Sequence, residues 1–149
     1  MRIHIATDHA GLDFSTHLKQ HLVDAGHEVI DHGPTEYDPI DDYPAFCINA
    51  AKAVVADQQA GVQALGVVFG GSGNGEQIAA NKVQGIRAAL VWNTSTAELA
   101  RQHTIEEATG FIDAFIAEPF SFEERHERRI AQLAEFEVTG TIAGKHVDA

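Results

Sequence analysis

Short runs of β-branched and apolar residues recur along the chain, and a stretch with helical periodicity follows each of them. The three clearest runs are Ile3 to Ala6, Leu65 to Phe69 and Ala88 to Trp92. A weaker run, His27 to Asp31, comes after an amphipathic segment, Leu12 to Ala25, that ends at Gly26 as a helix C-cap would. This alternation of strand and helix predicts a parallel sheet with helices on both faces.

The predicted fold class is α/β, a Rossmann-like three-layer α/β/α sandwich with about five parallel strands. Sheets of this kind bind ligands at the carboxyl ends of their strands, where Asp8, His9 and a glycine loop at 70–75 all fall. Asp42 is predicted to cap a helix that runs to about Asp57. A single domain over 1–138 and a tail over 139–149 complete the organisation. Because it has little apolar periodicity, the tail is expected to be loose or docked on a partner.

One stretch of the chain interrupts the alternation. Residues 94–103 and 104–117 both have helical character, with no strand-forming run between them. The apolar stripe also fails at this junction, because Gln102, His103 and Glu106 occupy the positions one or two turns beyond Leu99. The pattern indicates that a segment between the two helices is absent.

Composition and charge narrow the classes of function. The chain has 149 residues and a formal net charge of -12, with a pI near 5.0, so a surface that binds nucleic-acid phosphates or anionic lipid is not expected. No apolar run approaches the roughly 20 residues of a membrane span, and Met1 to Ile5 lacks the features of a signal peptide. With Cys47 as its single cysteine, the protein is predicted to be cytoplasmic, without nucleic-acid or membrane partners.

The loop from Gly70 to Glu76 lies between a strand and a helix, where backbone N–H groups can bind an anion or an oxyanion. It is not a Walker A loop, because Glu76 occupies the lysine position and would repel phosphates. The dinucleotide-binding motif fails because no Gly stands three residues after Gly73, and Asn74 replaces the last Gly of a serine-nucleophile elbow. A tight turn without a ligand is the alternative.

The carboxylate of Glu76 is the most informative group near this loop. The helix dipole is expected to hold it ionised, so that it can accept a proton from carbon. The alternative is charge complementarity at a helix end, where Glu is common. His17 and His21 are four residues apart and could hold a metal ion, but without a third ligand nearby they are expected to be exposed surface residues.

Four segments together resemble the type B ribose-5-phosphate isomerases, a family related to the galactose-6-phosphate isomerase subunits. They are Ala6 to Gly11, Asp42-Tyr43-Pro44, Gly70 to Lys82 and Arg125 to Arg129. The resemblance covers most of the chain, and the run Gln77 to Lys82 after the glycine loop makes it specific. It implies interconversion of ribose 5-phosphate and ribulose 5-phosphate through an enediolate, in the pentose phosphate pathway, without a metal or an organic cofactor.

The resemblance also implies roles for individual residues. Glu76 stands where the family has its catalytic base, which is Cys or Glu, and is similar to the actinobacterial branch, whereas Cys47 lies elsewhere. His103 corresponds to the histidine that opens the sugar ring, and Asp8 and His9 correspond to substrate contacts. Backbone donors of the glycine loop would hold the developing oxyanion; the residues concerned are Gly71, Ser72, Gly73, Asn74 and Gly75.

Arg125 and Arg129 correspond to phosphate-binding arginines of the family. Their spacing agrees with that role, because residues four apart share a helix face and can close on one phosphate. Without the resemblance, a solvated helix face would be the favoured interpretation of the pair, and Asp8 would be a helix cap with a hydrogen-bonded His neighbour. Arg128 is expected to point elsewhere, in a surface ion pair with Glu124.

The sequence departs from the family pattern after His103. In relatives the ring-opening His is followed by Asn, a fifth strand, a Gly-containing turn and an Arg that helps to bind phosphate, whereas here Thr104 follows. Roughly a dozen family positions are missing, at the point where the periodicity slips, and His103 matches either end of the gap. A deletion and an omission from the chain as given both explain this. Omission is favoured, because loss of a core strand would cost much of a domain's stability of about 5 to 15 kcal/mol.

Two rival functions stay open at this point. The first is a hexose-phosphate isomerase that acts on allose or galactose 6-phosphate. The second is a non-catalytic sugar-phosphate-binding protein, which would follow from a true deletion after His103. The resemblance further implies a homodimer or homotetramer whose active sites combine residues of two subunits, with a small sugar phosphate as the ligand.

Overall fold

The computed structural model of the protein describes residues 1–97 and 122–147. In chain order its elements are β1 (Arg2–Ala6), a 3₁₀ turn (His9–Gly11), α1 (Leu12–Asp24), β2 (Glu28–Asp31), α2 (Tyr43–Gln59), β3 (Ala64–Val68), α3 (Asn74–Asn81) and a last described helix, α4 (Glu124–Thr139). The predicted end of α1 is confirmed, since Ala25 is the C-cap and Gly26 follows it with φ of 83°.

The sheet of the described residues has three parallel strands in the order β2-β1-β3. The central strand, β1, pairs Arg2 with Glu28 on one side and with Ala64 on the other. The chain moves from β1 to β2 in one direction and from β2 across to β3 in the other. Because crossovers between parallel strands are right-handed, α1 and α2 lie on opposite faces of the sheet. The α/β fold class predicted from the sequence is therefore confirmed.

The predicted strand Ala88 to Trp92 is wrong, because these residues have no regular secondary structure. Side chains of α3 take the backbone groups that a strand would need for its ladder. The N–H of Ala88 donates to Oδ1 of Asn81 at 2.8 Å, and the carbonyl of Ala88 accepts from Nδ2 of Asn81 at 2.8 Å and from Nε2 of Gln77 at 2.9 Å. Side-chain hydrogen bonds thus hold the segment at Ala88 against α3.

The core of the described residues is centred on α2. This helix buries residues around most of its circumference, and α3 and α4 pack on it. Buried alanines at the contact with α3, Ala79 and Ala80, allow a close approach of that helix. Leu133 and Phe136 of α4 complete the same cluster. By these contacts α2 positions both α3 and α4 relative to the sheet.

The tail does not behave as the sequence predicts over its described part. Gly140 ends α4 in the left-handed conformation with φ of 71°, and the chain then turns back. Ile142 is only 2% exposed and belongs to the core cluster. Nδ2 of Asn49 donates to the carbonyl of His146 at 3.1 Å. The prediction of a loose tail is therefore wrong for residues 141–147, whereas docking of the tail on a partner stays a prediction.

Part of the predicted site lies outside the described residues. His103 and most of the stretch in which the apolar phase slips lie outside the described residues. Within the described residues, no helix is both long enough and apolar enough to cross a membrane.

Candidate active site

A cavity of about 1130 Å³ opens at the carboxyl ends of β1 and β3. Asp8 and His9 reach it from the end of β1, Asp41 from the loop after β2, and Glu76 from the start of α3. The first turns of α4 close another side of it. Asp8, His9 and Glu76 therefore lie together at this edge of the sheet, and four separate parts of the chain contribute polar side chains to the cavity.

The glycine loop after β3 places Glu76 inside this cavity. Gly73 precedes α3 with φ of 78°, a conformation that favours glycine, and the helix begins at Asn74. Glu76 is consequently the third residue of α3 and is only 4% exposed. Its carboxylate lies against the Cα of Gly70, where an added β-carbon would overlap Oε1. The loop therefore brings the carboxylate and backbone donors to one place.

The electrostatic setting of Glu76 differs from the sequence expectation. Burial raises the pKa of its carboxyl above the ordinary value of 4.5. A hydrogen bond from its own backbone N–H opposes the rise, the charge of Asp8 adds to it, and Arg129 opposes it. The helix terminus therefore does not dominate, and a carboxylate with a raised pKa is a stronger base than an exposed one.

Tyr43, the first residue of α2, is a cavity residue to which the sequence reasoning gave no role. It is 7% exposed, and an added β-carbon on Gly75 would overlap its hydroxyl oxygen. Burial, together with the charge on Glu76, raises the pKa of Tyr43 to about 12. The hydroxyl therefore stays protonated near neutral pH and can donate a hydrogen bond in the cavity.

The predicted pair at the end of β1 is Asp8 and His9. Asp8 is fixed by a hydrogen bond to its own carboxylate, and His9 by the carboxylate of Asp41. Oδ1 of Asp8 accepts from the backbone N–H of Ala10 at 3.0 Å, so Asp8 also caps the 3₁₀ turn. Nδ1 of His9 lies 2.6 Å from Oδ1 of Asp41. Sequence reasoning missed Asp41, although two consecutive carboxylates beyond a strand end were a signal for it.

Asp42 links the loop after β2 to α4, and it corrects two expectations. It occupies the N-cap position of α2 but makes no side-chain capping bond. Its carboxylate accepts from Nε and Nη2 of Arg128, both at 2.8 Å, from Nε of Arg129 at 3.2 Å and from Gln132 at 3.0 Å. The expectation that Arg128 points away from the site is wrong, because it lines the cavity and binds the buried carboxylate of Asp42. Glu124 still contributes a charge interaction with Arg128, whose side chain is 42% exposed.

Arg125 and Arg129 both line the cavity, with different partners. Arg129 has a side chain only 15% exposed; its Nη2 donates to Oδ2 of Asp8 at 3.3 Å, and its guanidinium carbon lies 5.0 Å from the ring centre of Tyr43. Arg125 is 59% exposed and pairs with Glu123 at 2.7 Å. Arg129 is thus fixed in place, whereas Arg125 is anchored only at the surface.

Within residues 1–97 and 122–147, one group of side chains has the composition of a metal site. Ligand atoms of Asp8, His9 and Asp41 lie within 4.8 Å of one another. Arg129 already supplies a positive charge to Asp8, and the His9 ring already bonds to Asp41. Each carboxylate thus already binds a protein donor through one oxygen, so the geometry favours a polar network over a cation site.

The remaining candidate residues differ in their burial and in their position relative to the cavity. Cys47 is fully buried, and burial, with the charges of Glu76 and Asp8, raises the pKa of its thiol well above the ordinary value. It is therefore unsuited to act as a base, as the sequence predicts. His17 and His21 are exposed. The loop residues predicted to hold an oxyanion lie beside Glu76, and Gly71, Ser72, Asn74 and Gly75 line the cavity.

Comparison with known proteins identifies chains of similar length and architecture. The "Ribose-5-phosphate isomerase B" of Mycobacterium tuberculosis strain CDC 1551 is 49% identical, over 93% of this chain and 91% of the relative. The enzyme of the same name from Escherichia coli K12 is 32% identical, over 91% and 96%. A crystal structure of the Mycoplasma genitalium enzyme with bound ribulose-5-phosphate has a TM-score of 0.62 at 35% identity, covering 93% and 97%.

The alignment with the M. tuberculosis protein runs over 152 positions, which is more than 93% of a 149-residue chain can fill. The relative therefore has residues without a counterpart here. The sequence profile of the "Ribose/Galactose Isomerase" family matches residues 3–133, a span that includes most of β1, the glycine loop and the arginines of α4. Given this match, the cavity and the 49% identity, the chain belongs to the ribose/galactose isomerase family.

Proposed function

We propose that the protein interconverts ribose 5-phosphate and ribulose 5-phosphate, with Glu76 as the base that moves the proton between carbons. The single observation that carries the proposal is the placement of Glu76, buried at 4% exposure yet lining an open cavity beside the glycine loop. The ribose-5-phosphate isomerases B of Mycobacterium tuberculosis and Escherichia coli support the substrate.

The proposed reaction requires one proton to leave carbon and one to return. In the open-chain aldose phosphate, the Glu76 carboxylate takes the proton from C2, and the electrons of that bond form the enediolate while the C1 oxygen gains negative charge. We assign the stabilisation of that oxygen to backbone N–H groups of the loop and to the protonated Tyr43 hydroxyl, since these residues line the cavity. Glu76 then returns its proton to C1, the O2 hydroxyl proton passes to O1, and the ketose forms.

The positive charge of the cavity lies on α4, and its Arg129 is close enough to Glu76 to lower the pKa of that carboxyl. Arg129 is held there by Asp8 and Asp42, and Arg125 lies one turn earlier at the rim. We propose that these two arginines anchor the phosphate, with Asp8 and His9 on the sugar hydroxyls. His103, proposed to open the furanose ring, lies outside the described residues.

The test is Glu76→Gln, which keeps the size of the side chain and removes the base. We expect kcat for ribose 5-phosphate to fall by about 10²- to 10⁴-fold, with ligand binding by calorimetry largely retained. Incorporation of deuterium from D₂O at C2 should fall in parallel. Glu36→Gln is the matched control, because Glu36 is exposed and lies outside the cavity. Near-normal turnover in the Glu76 variant would refute the assignment of the base.

A second candidate substrate follows from the family, whose name includes galactose. Turnover of ribose, allose and galactose phosphates by one preparation decides between five- and six-carbon sugars. Binding of these phosphates without deuterium exchange would instead indicate a non-catalytic sugar-phosphate-binding protein, the third possibility raised by the sequence.

We also propose a cytoplasmic homodimer or homotetramer. The single cysteine, which cannot form an internal disulfide, supports a reducing compartment, and the resemblance to the type B isomerases supports shared active sites. Light scattering after size exclusion, at concentrations used for the assay, measures the assembly directly.

A further inference from the structure

Asp41 is a buried carboxylate that the proposed mechanism leaves without a task. It lies in the loop between β2 and α2, is 7% exposed and lines the cavity. Its Oδ1 accepts two hydrogen bonds from one residue, His9: the backbone N–H at 3.0 Å and the ring Nδ1 at 2.6 Å. Both the backbone and the ring of His9 are thus fixed by a single oxygen.

These two bonds decide which ring nitrogen of His9 carries the proton. A carboxylate oxygen only accepts hydrogen bonds, so Nδ1 must be the N–H in the neutral ring. Nε2 is then the nitrogen left for a ligand, and no partner for it is found within residues 1–97 and 122–147. The rings of His9 and Tyr37 lie perpendicular to each other, with centroids 6.2 Å apart.

The second oxygen of Asp41 gives an independent indication that this carboxylate serves the cavity. Oδ2 is buried and has no hydrogen-bond partner among the described residues. A carboxylate placed only for stability would use both oxygens, as Asp42 does with Arg128, Arg129 and Gln132. Asp41 instead binds His9 through one oxygen, and its other oxygen forms no hydrogen bond among the described residues.

We propose that Asp41 is a positioning residue of the isomerase, which holds His9 as the Nδ1–H tautomer so that Nε2 faces the substrate. This inference rests on the proposed function for its kinetic consequence, but the tautomer of His9 is a property of the protein alone. Asp41 orients the His9 ring and touches no reacting atom itself.

The first experiment reads the tautomer directly. Long-range ¹H–¹⁵N correlation of the imidazole nitrogens, with the His9 signal assigned by its loss in His9→Gln, should show the neutral ring protonated on Nδ1. In Asp41→Ala the Nε2–H tautomer should become the major form. An Nε2–H ring at His9 in the unmodified protein would overturn the proposal, whatever the Asp41 variants show.

The second experiment separates positioning from charge by two substitutions. In Asp41→Asn the amide oxygen must stay on the His9 backbone N–H, so it still accepts from Nδ1 while the negative charge is lost. We expect Asp41→Ala to lower kcat/KM for ribose 5-phosphate by about 10- to 100-fold, and Asp41→Asn to recover much of that loss together with the tautomer. Asp38→Asn, an exposed change in the same loop, is the control.

The outcomes distinguish failure of this proposal from failure of the proposed function. If the unmodified protein turns over no sugar phosphate, the proposed function fails, while the His9 tautomer still tests Asp41. If Asp41→Ala loses kcat/KM with an unchanged tautomer, the positioning role is wrong. Loss of activity in EDTA, restored by Zn²⁺ or Mg²⁺, would also overturn it, because Asp8, His9 and Asp41 would then be metal ligands.

Discussion

The carboxylate of Glu76 lies directly on the Cα of Gly70, so that a β-carbon at residue 70 would overlap Oε1. The two residues are six apart in sequence and belong to opposite ends of the glycine loop. Gly70 therefore provides space for a side chain, which is a different requirement from the left-handed conformation of Gly73. The consequence is that the position of the proposed base depends on the absence of one methyl group.

Gly70→Ala should consequently displace the base while the fold survives. A shift of about 1 Å in a reacting group can lower turnover about 10²-fold, and we expect a fall in kcat of that order. Gly71→Ala is the comparison, because a β-carbon there meets nothing within 4 Å and should cost much less. Equal kcat values for the two variants would contradict a steric role for Gly70. Both are measured beside thermal unfolding, to confirm that the variants are folded.

The raised pKa of Glu76 predicts opposite effects of pH on activity and stability. The base must be ionised, so kcat/KM should rise with pH through a midpoint above 4.5, the ordinary value for Glu. Folding favours the protonated carboxyl, so its stabilising contribution is present below pH 4.5 and is lost as pH rises through the folded pKa.

Glu76→Gln should therefore unfold at a higher temperature than the parent near neutral pH. Above the folded pKa the parent buries a charge, whereas the amide is neutral at every pH. Thermal unfolding of both proteins from pH 4 to 8 checks this. A variant that is less stable than the parent at pH 8 would show that hydrogen bonds to the carboxylate outweigh its burial.

The hydrogen bonds between Arg128 and Asp42 predict that the protein loses stability as the pH falls. Burial alone would raise the pKa of Asp42, but hydrogen bonds from Arg128, Gln132 and Arg129 outweigh it and lower the pKa below 3.8. This stabilisation is present above pH 3.8 and is lost as pH falls through the folded pKa. Arg128→Ala should cost about 1 to 3 kcal/mol of unfolding free energy at pH 7, and less in acid.

Arg125→Ala is the matched control for that measurement. Its ion pair with Glu123 joins two side chains that are each more than half exposed, so we expect a change below about 1 kcal/mol. Urea unfolding of the two variants at pH 7 and pH 3 gives the comparison. A pH-independent difference between Arg128→Ala and the parent would indicate lost packing of the arginine stem instead of a lost charge interaction.

The docking of residues 141–147 predicts that this end of the chain stabilises the domain. Ile142 is 2% exposed in the core cluster, and replacement by Ala should cost about 2 to 5 kcal/mol. Val138→Ala is the control, since Val138 is 87% exposed and should change stability by about 0.5 kcal/mol at most. Similar unfolding midpoints for the two variants would contradict the packing of Ile142.

The sequence predicted those parts of the site that depend on local order. A strand, a glycine loop and a helix N-terminus follow one another within a few residues, so this local pattern by itself places Glu76 at the strand end. Asp8 and His9 followed from the same argument applied to β1. Each of these residues lies in a segment whose own pattern defines its position.

Side-chain contacts that leave no periodic signal in the sequence explain two of the wrong predictions. Asp42 and Arg128 are 86 residues apart, and the rule for neighbours on one helix assigned Arg128 to Glu124 because it considers only local partners. The strand predicted at Ala88 has a good apolar pattern, yet the side-chain amides of Asn81 and Gln77 hold its backbone. Such competition between side chains and a strand ladder has no periodic signal.

The burial of Cys47 gives this protein an internal reporter of its own opening. The chain contains one cysteine, it is fully buried in the core cluster that α4 completes, and its thiol is held in the unreactive protonated form. A thiol reagent can therefore modify the protein only as fast as the core is exposed. The labelling rate, compared with and without sugar phosphate, would measure how strongly ligand binding suppresses unfolding, without any introduced probe.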